Sequence, residues 1–385
     1  MDKLSKEERW EPVNWQKEEE KSYKKQSYWK DVLGHFIEDR LGVIGAFFII
    51  LISLTAIIGP ILYHNNYTDM ELNLQNVPPR LKLYQIDADT YVYMHKDYYF
   101  LQVTKEGKLL GLVEQTDDNL MQRKKTFQIE NKELVIDYSQ KSKYKILLNG
   151  EKIEPSKTVW NKTYLLGTDT LGRDLFARVL SGARISLAIA ACSTLINSLI
   201  GIFYGGIAGY KGGQADNVMM RIVDVISTVP TTLVVIMLMV VIGPGVKTII
   251  IAMGFSNWCT MARIVRGQVL SMKEREFVLA AIASNASHFR ILVKHLIPNI
   301  SGSIIVCMTM MIPGAIFTES FLSFIGLGVS APNASWGTLV NDGLTSFRAF
   351  PYQTIIPSIA ICITILALNF IGNDIQNVMI RVTDR

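Results

Sequence analysis

The sequence predicts an all-α polytopic membrane protein of six transmembrane helices, with a small, mostly-β domain inserted between the first two. Three observations predict it. Apolar runs of membrane-crossing length recur along the chain. Residues 63–163, between the first two runs, change composition abruptly. A polar, helix-favouring stretch, Glu276–Asn299, is wedged between two later runs. Of the 385 residues, 49% are hydrophobic and 19% charged, too apolar and too unevenly spread for a soluble globule.

Crossing ~30 Å of hydrocarbon as a helix takes roughly 20 apolar residues. Uncharged runs of that length are Leu41–Leu62, Ile185–Tyr210, Val225–Val246, Leu296–Phe317 and Ala349–Asn373. A sixth, Thr248–Ala262, is bounded by Lys247 and Arg263, whose long stems can snorkel to the two interfaces. A polar segment containing Lys24, Lys25, Lys30 and Arg40 precedes the first run, so that run is an anchor and not a cleaved leader. Those cations, Lys211 and Arg221, the stretch Lys273 to Lys294, and Arg381 with Arg385 all belong on one side by the positive-inside rule. Both termini are therefore expected in the cytoplasm of a multi-pass protein of the cell membrane.

The expected organisation is a cytoplasmic tail over 1–40, a first span over 41–62 and an extracellular insert over 63–163. An interfacial amphipathic segment over 164–184 follows, then a permease-like core over 185–385 containing a cytoplasmic loop at 268–298. In the insert, short β-type stretches at Tyr91–Met94, Tyr98–Thr104, Lys108–Val113, Thr126–Glu130, Leu134–Tyr138 and Tyr144–Leu148 are separated by turn chemistry, including Thr116-Asp-Asp-Asn119. The insert is expected to act as a spacer or as a docking platform. Thr170–Leu180 carries Leu171, Leu175, Phe176, Val179 and Leu180 on one helical face, with Arg173, Asp174 and Arg178 elsewhere, which reads as an interfacial helix.

Four cysteines lie in apolar spans without CxxC spacing, so they read as packing residues and not as a disulfide or zinc framework. The net charge of +5 is scattered over loops, which speaks against nucleic acid. No phosphate-binding Gly-x-x-x-x-Gly-Lys-Ser/Thr, zinc-protease His-Glu-x-x-His or Gly-x-Ser-x-Gly occurs, so the sequence offers no catalytic residue and no site for a cofactor or metal. Glu319 and Asp224 are among the few carboxylates near membrane depth. Each either lines a path or is hydrogen-bonded at a helix end.

Leu166–Leu187 contains Gly-Thr-Asp-x-Leu-Gly-Arg-Asp followed by Gly-x-Arg-x-Ser-Leu; Gly206-Ile-Ala-Gly-Tyr-Lys-Gly-Gly213, Leu322-Ser-Phe-Ile-Gly-Leu-Gly-Val329 and Ser335-Trp-Gly337 lie further on. With the Glu276–Asn299 loop, these resemble the permease subunits of ATP-driven dipeptide, oligopeptide and nickel importers, closest to the C-type partner of each pair. The resemblance covers the first span and nearly everything from Leu166 onward, but not the insert. It implies a type I ABC importer fold embedded in membrane lipid, a homologous second permease subunit, two cytoplasmic ATP-binding subunits that hold ATP and Mg, an extracellular substrate-binding protein, and a peptide substrate. The alternatives are a nickel or metallophore importer and, in another class, a self-sufficient secondary transporter or channel.

In that family the loop reads Glu-Ala-Ala, three residues, Gly, nine residues, Ile-x-Leu-Pro. Here Leu279-Ala280-Ala281 fills the first positions, His295-Leu296-Ile297-Pro298 the last, and Asn285 stands where Gly is expected. Asn is the next residue most tolerant of left-handed backbone, so a turn between two short helices is retained. The resemblance assigns Glu276, Phe277, Ala280, Ala281, Asn285, Ala286, Arg290, His295 and Pro298 to ATPase coupling.

Overall fold

The computed structural model describes residues 28–383 except 64, 130, 141 and 142. Most of the expected tail, with Lys24 and Lys25, and Arg385 at the other end lie outside the described residues. Helix α1 (Tyr28–Glu38) leads to α2 (Arg40–Leu62), capped by Asp39 through a 2.9 Å bond from Leu41 N.

Ten strands follow: β1 (Arg80–Gln85), β2 (Tyr91–Met94), β3 (Phe100–Val103), β4 (Leu109–Leu112), β5 (Gln115–Asn119), β6 (Lys124–Ile129), β7 (Lys132–Gln140), β8 (Lys143–Leu148), β9 (Glu151–Ile153) and β10 (Lys157–Trp160). They form two antiparallel five-stranded sheets, ordered β10-β1-β2-β3-β4 and β5-β6-β7-β8-β9. One core joins the sheets: Val92 and Phe100 of the first pack with Phe127, Leu134 and Ile136 of the second. The mostly-β reading of the insert therefore holds, with one correction. Thr116–Asn119, expected as a turn, belongs to β5, an edge strand paired only with β6. An edge strand can expose charge on its free side, so its polar letters resemble a loop.

The remaining helices are α3 (Leu175–Lys211), α4 (Gly213–Thr228), α5 (Thr231–Ile242), α6 (Val246–Ser256), α7 (Trp258–Met272), α8 (Glu276–Ala283), α9 (His288–Arg290), a π-helical turn at Ile291–Leu296, α10 (Ile297–Asn299), α11 (Ser301–Phe324), α12 (Trp336–Leu344) and α13 (Tyr352–Thr383). Among the described residues five helical spans are long and apolar enough to cross a membrane: Arg40–Leu62, Leu175–Lys211, Val246–Met272, Ser301–Phe324 and Tyr352–Ile380. A sixth exists only if α4 and α5, bent by 79°, count as one.

This reverses the expected ranking of two spans. Val225–Val246 is not a straight crossing. Val229 is extended, and Pro230, which lacks an N–H and disfavours helix in the residue before it, separates α4 from α5. The 12 residues of α5 reach only ~18 Å. Thr248–Ala262, by contrast, is the middle of a 27-residue span. Its charges are paired sideways: Arg263 donates to Asp224 at 3.1 Å and Arg266 to Asp216 at 2.8 and 2.5 Å, both carboxylates on α4. Counting uncharged letters underrates a span whose cations have partners on a neighbouring helix.

Helix α3 is the centre of the bundle, packed on α2, α6, α7 and α11. Gly201, Gly205 and Gly209, four residues apart, let α7 approach closely; a methyl group on Gly205 would lie 2.2 Å from the Ala262 carbonyl oxygen. The β domain is fastened to the bundle near the start of α13. The buried His95 ring stacks between Tyr99 and Phe350, and Tyr352 donates to the carbonyls of Val77 and Thr168. Burial holds the His95 imidazole below its ordinary pKa.

Candidate functional site

Two regions at opposite ends of α3 carry the residues singled out in the sequence; its 37 residues span ~55 Å between them. At the β-domain end, the segment expected as an interfacial helix is a loop up to Asp174, and the continuous α3 starts at Leu175. Asp174 caps that helix, accepting from Phe176 N and Ala177 N, and its other oxygen accepts from Tyr63 Oη and Asn65 Nδ2, both at 2.7 Å. Arg173, Asp174 and Arg178 are all buried, so none faces water as an amphipathic surface helix would require. Asp169 Oδ2 accepts from Arg173 Nε at 2.7 Å and from Arg178 Nη1 at 2.6 Å, while Asp342 of α12 accepts from Arg178 Nη2 at 3.2 Å. Gly172, at φ +73°, lies so near the Glu71 carbonyl that a side chain there would collide.

The next motif, Gly182-Ala-Arg-Ile-Ser186, continues this knot one turn deeper. Pro60 interrupts α2 and leaves the Ala56 carbonyl without its helical donor; Arg184 donates to Ala56 O and Ile57 O instead. Ser186 donates to Glu319 Oε2 at 3.0 Å and accepts from Trp336 N at 3.2 Å. Ser323 donates to Glu319 Oε1 at 2.8 Å, and Ser335, which caps α12, bonds Ser323 at 3.1 Å. Glu319 is thus fully buried among hydroxyl donors. The sequence pointed to Glu319 but not to Ser186, which bonds it directly, or Ser335, which reaches it through Ser323, because residues 133 and 16 positions away meet only in three dimensions. Asp224 is far from this knot: it is exposed and paired with exposed Arg263.

At the opposite end, α8 and the segment from α9 to α10 form the expected helix–turn–helix. Ser284 ends α8, and Asn285 adopts φ +55°. Asn285 N donates to Ile282 O at 2.9 Å and Ala286 N to Ala281 O at 3.1 Å, the paired bonds of a Schellman cap in which Asn takes the usual Gly position. Ser287 caps the second helix, and Tyr210 of α3 bonds His288 at 2.9 Å. The inner face, Val278, Ala281, Ile291, Leu292 and Leu296, packs on Val265 and Val269 of α7.

Of the residues expected to couple, Glu276, Phe277, Ala280, Asn285, Arg290 and Pro298 are exposed, and Ala286 and His295 are half-buried. Ala281 departs from the expectation: it points into the chain's own core, and its small size serves packing on α7. Beside these polar residues the outward surface carries large apolar side chains, with Phe289 68% exposed, Leu279 53% and Ile282 49%. Leu279 stands in the loop motif, but Phe289 and Ile282 carry no motif position, although their apolar type in a polar loop is a visible signal.

The family described as binding-protein-dependent transport system inner membrane component matches residues 171–383, and the N-terminal transmembrane domain of oligopeptide transport permease C matches residues 27–79. The β strands lie between the two matches. The chain is 48% identical over 233 residues to the oligopeptide transport system permease protein OppC of Bacillus subtilis, covering 60% of this chain and 74% of the relative. It is 49% identical over 233 residues to the dipeptide transport system permease protein DppC of the same organism, covering 60% and 71%. The nickel transport system permease protein NikC of Escherichia coli is 39% identical over 213 residues, covering 55% and 76%. Among solved structures, a chain of the inward-facing MetNI methionine ABC transporter aligns at 16% identity and a TM-score of 0.44, covering 53% of this chain and 97% of that one.

Proposed function

This chain belongs to the family of binding-protein-dependent transport system inner membrane components, and from that premise we propose that it imports oligopeptides or dipeptides as one permease subunit of an ATP-driven transporter of the type I arrangement. The observation that carries the reading is the match over residues 171–383, which includes the helix–turn–helix and, of the buried knot, Arg173, Asp174, Arg178, Ser186, Glu319 and Asp342 but not Asp169. A homologous second permease encloses the path with this chain, one of two ATP-binding subunits sits against the exposed faces of α8 and α9, and an external binding protein delivers the peptide. ATP and Mg belong to those ATP-binding subunits, and this chain contributes no catalytic residue. Both termini and the helix–turn–helix lie in the cytoplasm, with the β domain outside.

Movement follows from the geometry. Closure of the ATPases displaces α8, whose inner face is packed on α7, so the displacement passes to α7 and through the glycine contacts to α3. The buried knot keeps the β-domain ends of α2, α3, α11 and α12 together while the opposite ends move. The nickel transport relative supports a second cargo reading, a chelated metal.

The test is reconstitution of the five-part complex in vesicles. ATP-dependent uptake of a labelled tripeptide is expected; nickel uptake without peptide uptake would select the second cargo. Peptide uptake that persists without the ATP-binding subunits would sink the importer reading in favour of a secondary transporter.

A further inference from the structure

The turn between β5 and β6, Leu120–Arg123, carries unusual residues for its place. Such turns favour Gly, Asn, Asp or Ser, yet this one opens with Leu120, 76% exposed, and Met121, 98% exposed. Met121 is the most exposed large apolar side chain among the described residues. The turn itself is well formed: Asn119 Oδ1 accepts from Gln122 N at 3.0 Å, and Arg123 takes φ +53°. It therefore presents two apolar side chains to whatever lies beyond it.

Its direction is fixed by contacts at both ends of the second sheet. The β2–β3 turn faces the bundle, because the His95 ring stacks on Phe350 at 5.9 Å between centroids and Lys96 Nζ lies over the same ring at 4.7 Å. Tyr98 of that turn stacks on Tyr138 of β7 at 4.9 Å, and Tyr138 N donates to Arg123 O at 3.0 Å. At the other end, Lys132 pairs at 2.8 Å with Asp87, in the β1–β2 turn far from the bundle. Leu120 and Met121 thus stand on the bundle-facing rim of the β domain. Phe350 lies just before Tyr352, where the apolar span of α13 begins, so this rim is level with the edge of the membrane.

The rim repeats this pattern at a second place. Trp160, paired with Arg80 at the bundle end of β1 and β10, is 47% exposed, and the Arg80 guanidinium lies over its ring at 5.5 Å. An apolar or aromatic body with a cation beside it suits a bilayer interface, the body among the lipids and the cation at the phosphates. At the β5–β6 turn the exposed Arg123 supplies that cation. Asp117 and Asp118 lie further from the bundle along β5, and Asp118 is paired with Lys125 at 3.7 Å. The spans surround this level with lipid, whereas a protein docking from outside would meet the far turns first. We propose that the β domain rests on the membrane through this turn: Leu120 and Met121 enter the headgroup region of the adjoining phospholipid leaflet, and Arg123 donates to a lipid phosphate. The contact depends on the spans and not on the cargo, and it braces the insert against the membrane beside its joint with α13.

Site-specific photocrosslinking tests this. The photoreactive residue p-benzoylphenylalanine replaces Met121 in the full chain, assembled with the second permease, the ATP-binding subunits and the binding protein in vesicles of phosphatidylethanolamine and phosphatidylglycerol. Because Met121 is almost wholly exposed, the melting temperature of the complex should match wild type. Irradiation should add the mass of one phospholipid to the peptide that carries position 121. The same probe at Gln128, exposed toward the far end of β6, should give no such adduct. Arg123→Gln should lower the yield at 121 about fivefold, the worth of one cation at an anionic lipid surface. A yield unchanged by Arg123→Gln overturns the phosphate contact. Equal lipid adducts at both positions, or none at 121, overturn the membrane contact. A crosslink from 121 to the second permease or to the binding protein in place of lipid also overturns it, and names the protein that covers the turn. The adduct is expected whether or not the complex imports peptide, so failure of the importer reading leaves it in place.

Discussion

At one end of α3 polar side chains pair with one another within the chain, while at the other end large apolar side chains stand exposed among polar ones. Asp169, Arg173, Arg178 and Asp342 are matched ion pairs, and Glu319 sits among serine hydroxyls. Phe289, Leu279 and Ile282, some 55 Å of helix away, are exposed. Both regions belong to family motifs, yet a motif can mark different things. The first is paired within its own chain apart from Arg178 Nε, so its chemistry is that of a joint. The second leaves Phe289, Leu279 and Ile282 uncovered, which fits the interface proposed for it.

The largest effect should come from breaking the joint. Asp169→Ala leaves two guanidinium groups buried beside a single remaining carboxylate, and removing one member of a buried pair costs about 3–5 kcal/mol. The expected result is a much lower melting temperature in detergent and a loss of protein from the membrane. A variant as stable as wild type would show that water reaches the network and that the joint is looser than its distances suggest.

Next comes the interface. Phe289→Arg changes an exposed residue, so its own stability should stay within about 0.5 kcal/mol of wild type. ATPase association should weaken by about 2 kcal/mol or more, the loss of an aromatic anchor, read by co-purification and by ATP-dependent uptake. Ala281→Glu sharpens the contrast. It also lies in the loop, but it faces α7, and its main effect should be destabilisation. If both variants remain folded and lose ATPase equally, the division of the loop into an inward and an outward face is wrong.

The smallest effect concerns the turn. Asn285 holds a left-handed conformation that Gly adopts without strain, so Asn285→Gly should stabilise the loop by no more than about 1 kcal/mol and leave transport intact. Reduced uptake in that variant would mean that the Asn side chain itself contacts a partner.

Much of this was legible beforehand because it depends on local chemistry. Alternating β-type stretches marked six of the ten strands, and the composition step bounded the insert. The Ala-Ala, Asn and Pro spacing located the helix–turn–helix, and Asn285 takes the backbone its residue type allows. The misreadings share one cause. Thr116–Asn119 looked like a turn because its strand pairs on one side only. Val225–Val246 looked like a crossing because apolar letters do not record the bend at Pro230, and Thr248–Ala262 ranked below it because Arg263 ends the uncharged run and the letters do not record its partner on α4.

Run length, turn chemistry and motif spacing by themselves determined that this protein is a helical membrane protein with an inserted β domain and a cap-and-turn loop, since each of those is set by residues near one another in the chain. Only the tertiary structure decided which charges are buried, which way Ala281 faces, and which hydroxyls surround the Glu319 carboxylate. Those properties depend on desolvation and on pairing across long sequence separations, such as the 164 residues between Arg178 and Asp342.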